Sequence, residues 1–109
     1  MATRNLRAEA RIAVRERGSL KCGDAWFPCT VLNMSNNGFF ISCNKELSVG
    51  QLLEFRCELF PGKNLECKIE IRHVSHAGMG SKIVEIDNRG INLCQLYLEE
   101  QYSHKLTKS

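Results

Sequence analysis

Two neighbouring segments in the middle of the chain alternate between apolar and polar residues. One side of each extended segment is apolar: Phe55, Cys57 and Leu59 in residues 54–60, and Leu65, Cys67, Ile69 and Ile71 in residues 65–73. Such a period of two is typical of a strand with one buried and one solvated face. Between them, Pro61-Gly62 favours a type II turn, because proline fixes the first central φ and glycine accepts the positive second one. We predict an antiparallel hairpin.

Turn signals recur at short intervals along most of the chain, at Gly18, Gly23-Asp24, Asn37-Gly38, Val49-Gly50, Pro61-Gly62 and Gly78-Met79-Gly80. Between them we predict six strands, near residues 11–21, 26–33, 39–43, 51–60, 65–75 and 81–87. Short strands at this spacing indicate a small β-barrel or sandwich. Pro28 lacks the N–H that a ladder needs, so its strand should have a bulge or an open edge there.

The last part of the chain changes to a helical period. Ile91, Cys94 and Leu98 share one helical face, with Leu93 and Tyr97 beside them. Asn88 is a plausible N-cap, so we predict a helix over residues 88–103 that plugs or flanks the barrel. Residues 1–10 have no periodicity and are predicted to form a flexible arm.

Length and hydropathy limit the possible architectures. A chain of 109 residues makes one domain, here residues 1–109, with the barrel over residues 11–87. No apolar stretch approaches the roughly 20 residues that a membrane helix needs. The first seven residues contain no apolar segment typical of a secretory signal. We therefore expect a cytoplasmic protein without membrane insertion.

Positive charge is concentrated at the beginning of the chain. Residues 1–21 contain six basic and two acidic residues, a net charge of +4, whereas the rest contains nine basic and ten acidic residues, a net of −1. A basic terminus can simply aid solubility. It is also what a segment that binds an anion requires.

The six cysteines do not have the spacing of a zinc site. They are Cys22, Cys29, Cys43, Cys57, Cys67 and Cys94, and no two lie within the two to four residues typical of a structural zinc knuckle. Most lie on the apolar side of the predicted strands. We predict that they are small buried side chains in a reducing compartment, with redox sensing as the alternative.

Two short motifs carry the functional signal. Arg7 and Arg11 are spaced Arg-x-x-x-Arg, and Asn33, Ser35 and Gly38 follow in the pattern Asn-x-Ser-x-x-Gly. Guanidinium forks suit phosphate oxygens and the O6/N7 edge of guanine, and small polar side chains suit other base edges. The alternative for the second motif is a type I′ turn at Asn37-Gly38 whose backbone Asn33 and Ser35 satisfy.

In this order and separation, the two motifs and the predicted strands resemble the PilZ domain, the bacterial cyclic di-GMP receptor module. The resemblance covers essentially the whole chain. It implies a six-stranded antiparallel β-barrel with a C-terminal helix and a basic N-terminal arm that closes over the dinucleotide. It also implies that the ligand is held by five residues, namely Arg7, Arg11, Asn33, Ser35 and Gly38.

The resemblance implies further contacts near these five residues. Family members often have an aromatic residue or an arginine late in the fifth strand, where this chain has Arg72 and His73. Arg72 is on the polar face and is a candidate ligand, whereas His73 is in phase with the core and is predicted to be a core histidine. Leu6 stands where a basic residue would clamp a second nucleotide, so one ligand per chain is favoured. Arg11 and Arg15 form a second Arg-x-x-x-Arg, and Arg15 is predicted to face solvent.

The sequence favours a binding module over an enzyme. It contains no nucleophile elbow, no phosphate-binding glycine loop and no clustered carboxylates. We therefore expect no cofactor and no metal, with cyclic di-GMP as ligand and a protein partner whose identity the sequence leaves open. Two alternatives stay open: a PilZ-type module that binds only protein, and a small basic barrel that binds single-stranded nucleic acid. The second needs exposed aromatic residues among basic ones, whereas Phe39, Phe55 and Phe60 are predicted to belong to strands and core.

Overall fold

The computed structural model describes residues 11–108, with side chains described up to residue 104. It contains six strands and one helix: β1 (Ile12–Cys22), β2 (Ala25–Met34), β3 (Gly38–Cys43), β4 (Leu52–Phe60), β5 (Lys63–Val74), β6 (Met79–Glu85) and α1 (Asn88–Lys108). The predicted arm over residues 1–10 lies outside the described residues. No helix in the described part of the chain is long and apolar enough to cross a membrane.

The strands close into a barrel in the order β1-β2-β3-β6-β5-β4, and every pair is antiparallel. Strands β1 to β3 form one meander and β4 to β6 form another. Two seams join the meanders, β1 against β4 and β3 against β6. The predicted six-stranded barrel with a C-terminal helix is confirmed.

The apolar faces predicted for the central hairpin line the core. Phe55, Cys57 and Leu59 are buried in β4, and Leu65, Ile69 and Ile71 are buried in β5. The Phe39 and Phe55 rings stack with their centroids 4.5 Å apart, and Phe60 packs against the rim of the core. The predicted placement of these three phenylalanines is confirmed.

The turn between β4 and β5 agrees with its sequence signal. Gly62 has a φ of 76°, as the second central residue of a type II turn requires, and its N–H donates to Oε2 of Glu58 at 2.7 Å. Pro28 pairs with Ser19 of β1 but stands just beyond the last residue of β2 that pairs with β3. Pro28 therefore stands where β2 has an open edge, as predicted.

The sixth strand begins earlier than predicted and ends earlier. Met79 and Gly80, interpreted as a turn from their glycine neighbours, already pair with β5 and β3, and Met79 is buried. Gly80 lies opposite His73, and a Cβ at residue 80 would be 3.5 Å from the Cβ of that histidine. A glycine-rich segment can thus be a strand when the sheet places a larger side chain beside it.

Asp87, and not Asn88, caps the helix. The Oδ1 atom of Asp87 accepts from the Gly90 N–H at 2.8 Å, and the carbonyl of Asp87 accepts from the Ile91 N–H at 3.0 Å. These two bonds define an N-cap residue. The helix also continues to Lys108, five residues beyond the predicted end. Ile91, predicted on the buried face, is 39% exposed, whereas Leu93, Cys94, Tyr97 and Leu98 are buried.

The cap position leads to a testable difference between two adjacent residues. Asp87→Ala removes the side-chain acceptor of the Gly90 N–H, so we expect the free energy of unfolding to fall by about 1 kcal/mol. Asn88→Ala should change it by only a few tenths of a kcal/mol, since alanine is the better helix former. Urea unfolding of both variants measures this, and an equal loss in the two would contradict the assignment of the cap.

The helix is fixed to the barrel by contacts with β1, β4 and the loop after β2. The Tyr97 hydroxyl donates to Oε2 of Glu16 at 2.5 Å, and its ring meets Phe60 edge to face at 5.8 Å. Burial and the Glu16 carboxylate both raise the pKa of Tyr97, so the phenol stays protonated and able to donate. The Cys94 thiol is within 3.9 Å of the carbonyl of Ser35. The helix therefore contacts the second sequence motif directly.

The cysteines are free thiols, and three of the six are buried as predicted. Cys29, Cys57 and Cys94 are buried, and Cys43 and Cys67 are half-buried. Burial raises the pKa of Cys29, Cys57 and Cys67 to about 12 and that of Cys94 to about 11, which keeps these groups protonated and unreactive. Cys22 is the exception: it is exposed, because it ends β1 at the turn into β2.

Candidate functional site

One hydrogen bond joins the two motifs. The Nη1 atom of Arg11 donates to Oδ1 of Asn33 at 2.9 Å, across 22 positions of sequence. Pairing of β1 with β2 creates this contact, since Ala13 lies opposite Asn33 and Arg11 stands just before the strand. Of the predicted ligand residues, Arg11 and Asn33 are thus brought together. Leu6 and Arg7 lie outside the described residues.

Three strand irregularities occur close to this contact. The register shifts between Ala13 and Glu16 in β1, between Val31 and Asn33 in β2, and between Ile71 and His73 in β5. A bulge inserts one residue and redirects the side chains that follow it. Bulges are frequent beside binding and catalytic sites for this reason. Residues beside two of these bulges, Arg11, Arg72 and His73, line the same cleft.

The bulge in β5 explains why the prediction for His73 was wrong. Strict alternation from Leu65 to Ile71 would place residue 73 in the core. The register shift between Ile71 and His73 interrupts that alternation, and both Arg72 and His73 are exposed. Sequence periodicity had no signal for this bulge. The consequence is that two side chains, and not one, are available at the end of β5.

These side chains line an open cleft of about 530 Å³ that includes Arg11. Its other residues come from the loop before β3 and from β5 and β6: Asn37, Arg72, His73, Gly80, Ser81 and Lys82. Three of the lining residues are cations, namely Arg11, Arg72 and Lys82. The one described ion pair among them joins Arg72 Nη1 to Glu70 Oε1 at 3.8 Å, on the protein surface. The cleft therefore presents an excess of positive charge and several donors, which suits an anionic ligand.

Lys82 and Asn37 were not predicted as site residues. Lys82 lies opposite Gly38 of β3 and opposite Glu70 of β5, which places it between the second motif and Arg72. The β3–β6 seam that brings it there joins strands far apart in sequence. No local pattern indicates that seam. The lysine would have been identified only from the closed barrel.

Ser35 is buried and does not face the cleft. Its side chain is 3% exposed, its Oγ accepts from the Asn37 N–H at 3.2 Å, and its N–H donates to the Gly38 carbonyl at 3.0 Å. Neither Asn37 nor Gly38 has a positive φ, which excludes the type I′ turn considered above. Ser35 instead holds a compact loop that carries Asn37 to the cleft.

Gly38 is required by the barrel itself. A Cβ at this position would stand 2.0 Å from the carbonyl oxygen of Ser81 and 3.1 Å from the Cα of Lys82. Contacts below 3 Å with backbone atoms cannot be relieved by rotating a side chain. The glycine therefore permits the close approach of β3 and β6. Its predicted place among the ligand residues stays a prediction.

Three other concavities lined by described residues are larger than the cleft. One of about 710 Å³ is lined mainly by residues of β1 to β5, one of about 950 Å³ lies between α1 and the β4–β5 hairpin, and one of about 550 Å³ is bordered by Trp26, Arg56 and Glu85. None of the three contains a motif residue. Within residues 11–108 no group of three or more His, Cys, Asp or Glu side chains is placed to hold a metal ion. We assign the candidate site from its cationic donors and motif residues, not from its volume.

Comparison with known proteins agrees with this architecture. The family model of the PilZ domain matches residues 5–100, which is most of the chain. The chain belongs to the PilZ domain family. PilZ domains are binding modules, and the family is one of cyclic di-GMP receptors. No curated protein sequence matches this PilZ chain.

Solved structures of PilZ proteins have the same fold. The Bacillus subtilis inhibitor of motility MotI/DgrA is similar with a TM-score of 0.70 and 15% identity over 91% of this chain. Our chain spans 50% of that protein. The PilZ domain of CeSA, from a cellulose synthesizing bacterium, gives a TM-score of 0.61 and 18% identity, covering 89% of this chain and 99% of that one. At these identities the likeness concerns the fold alone.

Proposed function

We propose that this PilZ protein is a cyclic di-GMP receptor that transmits ligand binding to a protein partner. The observation that carries the proposal is the hydrogen bond between Arg11 and Asn33, which joins the two motifs at one end of the barrel. Family membership supplies the ligand class, and the cationic cleft supplies a surface of matching charge. No catalytic step is needed for this function.

Arg11 is the central ligand residue in this proposal. Its hydrogen bond to Asn33 uses one edge of the guanidinium group and restrains it, which reduces the entropy that binding would cost. Among the described residues its other N–H groups have no hydrogen-bond partner, so they can donate to a phosphate or to the O6/N7 edge of a guanine. Arg7, at the other end of the motif, is the proposed second guanidinium.

Arg72, His73 and Lys82 form the opposite side of the proposed site. Arg72 offers a flat cationic surface on which a guanine base can stack, and Lys82 offers a point charge for a phosphate. Asn33 contributes chiefly by positioning Arg11. Ser35 and Gly38 act through the backbone, by shaping the loop that presents Asn37.

A conformational signal requires that the ligand site touch a part of the protein that can contact a partner. The carbonyl of Ser35 is contacted by Cys94 of α1, and Glu16, just after the bulge in β1, is held by Tyr97. The first contact is made to a motif residue itself, and the second is made to the strand that follows Arg11. We propose that ligand binding alters the docking of α1 and thereby the surface offered to the partner. We place this function in the cytoplasm, where the free thiols would remain reduced.

Calorimetric titration of the full chain with cyclic di-GMP tests the proposal. Two charge-assisted arginine contacts and a stacked base are sufficient for binding at about 1 μM, or about 8 kcal/mol. We expect saturable heat with cyclic di-GMP and none with GTP or cyclic di-AMP. Absence of heat from folded protein at high ligand concentration would favour the alternative of a module that binds only protein.

One observation supports a second candidate, single-stranded nucleic acid. Trp26 is 39% exposed on the outer face of β2, with the Arg56 guanidinium carbon 4.2 Å and the Lys21 Nζ 5.9 Å from its ring centroid. An exposed aromatic residue among cations is what stacking of bases requires. The fluorescence anisotropy of a dye-labelled oligonucleotide, titrated with the wild type and with Trp26→Ala, measures this function separately from the first. Loss of oligonucleotide binding in the variant would support it.

A further inference from the structure

One flank of α1 carries an exposed leucine beside an apolar groove. Leu96 is 58% exposed and lines the concavity of about 950 Å³ between the helix and the β4–β5 hairpin. Phe60, Pro61 and Leu93 form the apolar part of this groove, with charged residues toward its ends. An apolar groove with a protruding leucine beside it can receive the same leucine from another molecule.

The residues along this face have a self-complementary order. Four residues of α1 are spaced by four, three and four positions and so form one stripe along the helix: Arg89, Leu93, Leu96 and Glu100. The two leucines are central, and the two opposite charges are at the ends. Arg89 and Glu100 are eleven residues apart, about 16 Å along the axis, and so cannot pair with each other. Neither forms an ion pair with any described residue of its own protomer.

We propose that the protein forms a twofold homodimer in which α1 packs antiparallel against α1 of a second copy. If the axis passes between residues 94 and 95, the exposed Leu96 of each copy enters the groove of the other copy, whose floor includes the buried Leu93. The same axis places Arg89 of each copy opposite Glu100 of the other, which gives two ion pairs per dimer. A twofold interface must be complementary to itself, and this stripe satisfies that condition.

Charge selects the antiparallel arrangement over the parallel one. In a parallel pair Arg89 would face Arg89 and Glu100 would face Glu100, and like charges repel. In the antiparallel pair both ends are attractive. The groove beside Phe60 and Leu93 receives Leu96 of the second copy, which removes that leucine from water. This interface does not involve the cleft at Arg11 and does not depend on nucleotide.

Sedimentation velocity of the full chain over a wide range of concentration tests the dimer. We expect the wild type to convert from monomer to dimer with increasing concentration, and Leu96→Glu to remain monomeric. Ile91→Glu is the matched control, since Ile91 is also an exposed apolar residue of α1 but lies off the stripe. A wild type that stays monomeric, or a dimer that survives Leu96→Glu, would overturn the proposal.

Charge reversal identifies the second copy as the partner. Arg89→Glu and Glu100→Arg should each weaken the dimer by roughly tenfold, because both ends of the twofold pair lose an attraction. An equimolar mixture of the two variants should associate again, since each Glu then faces an Arg of the other variant. Misfolding cannot produce such a rescue. Failure of the mixture to associate, when each variant alone is folded, would exclude the antiparallel arrangement.

Discussion

Gly38→Ala will lower the free energy of unfolding by about 3 kcal/mol, at the upper end of what overpacking costs. The added Cβ would meet the Ser81 carbonyl oxygen at 2.0 Å, and both groups belong to paired backbones. Relief requires that β3 move away from β6, which opens one of the two seams that close the barrel. Urea unfolding followed by far-UV circular dichroism measures the loss.

Gly80→Ala is the control for this prediction. Gly80 lies in the same seam, but a Cβ there meets its nearest neighbour at 3.5 Å, an ordinary van der Waals distance. Its backbone also has no positive φ. We expect a change within about 0.5 kcal/mol of the wild type. If both alanine variants unfold at the wild-type urea concentration, the close approach at Gly38 is not a constraint on the fold.

Arg11→Ala will reduce the affinity for cyclic di-GMP by roughly a hundredfold, since the variant loses a charge-assisted fork and its contact with Asn33. The melting temperature should scarcely change. The Arg11–Asn33 hydrogen bond is exposed, and exposed bonds contribute about 1 kcal/mol or less. Calorimetric titration and thermal unfolding of the same sample separate the two effects.

Arg15→Ala provides the matched control, because Arg15 is the second arginine of the alternative Arg-x-x-x-Arg. It is exposed and lies within the bulge of β1, between Ala13 and Glu16. We expect wild-type affinity from this variant. Lost binding in Arg15→Ala with retained binding in Arg11→Ala would reverse the assignment of the motif. A large drop in melting temperature for Arg11→Ala would mean that this arginine serves the fold.

The sequence predicted the strands well because each strand has a local signal. Alternation from Phe55 to Leu59 and the Pro61-Gly62 turn are both short-range, and both agree with the structure. The helix was also predicted, but its cap was assigned to Asn88 and not to Asp87. The two residues are adjacent and both are good caps, so composition cannot distinguish them.

The site was less predictable because it depends on bulges and on pairing between distant strands. His73 was assigned to the core by an alternation that a bulge in β5 interrupts. Lys82 reaches the cleft only through the β3–β6 seam. Arg11 and Asn33 were predicted to act at the same site from motif resemblance alone. The structure brings these two together, whereas ligand binding by them stays a prediction.

The roles of Ser35 and Gly38 affect how relatives of this protein should be interpreted. The serine closes a loop and the glycine admits a neighbouring strand, and both needs persist when no nucleotide is bound. Selection for a stable barrel alone would preserve these two residues in a descendant that had lost its ligand. The same selection would leave Arg11 free to drift, since its contact is on the surface. If the proposed function is correct, the arginine, and not the serine or glycine, is therefore the residue that distinguishes a working receptor from a protein that has kept only the fold.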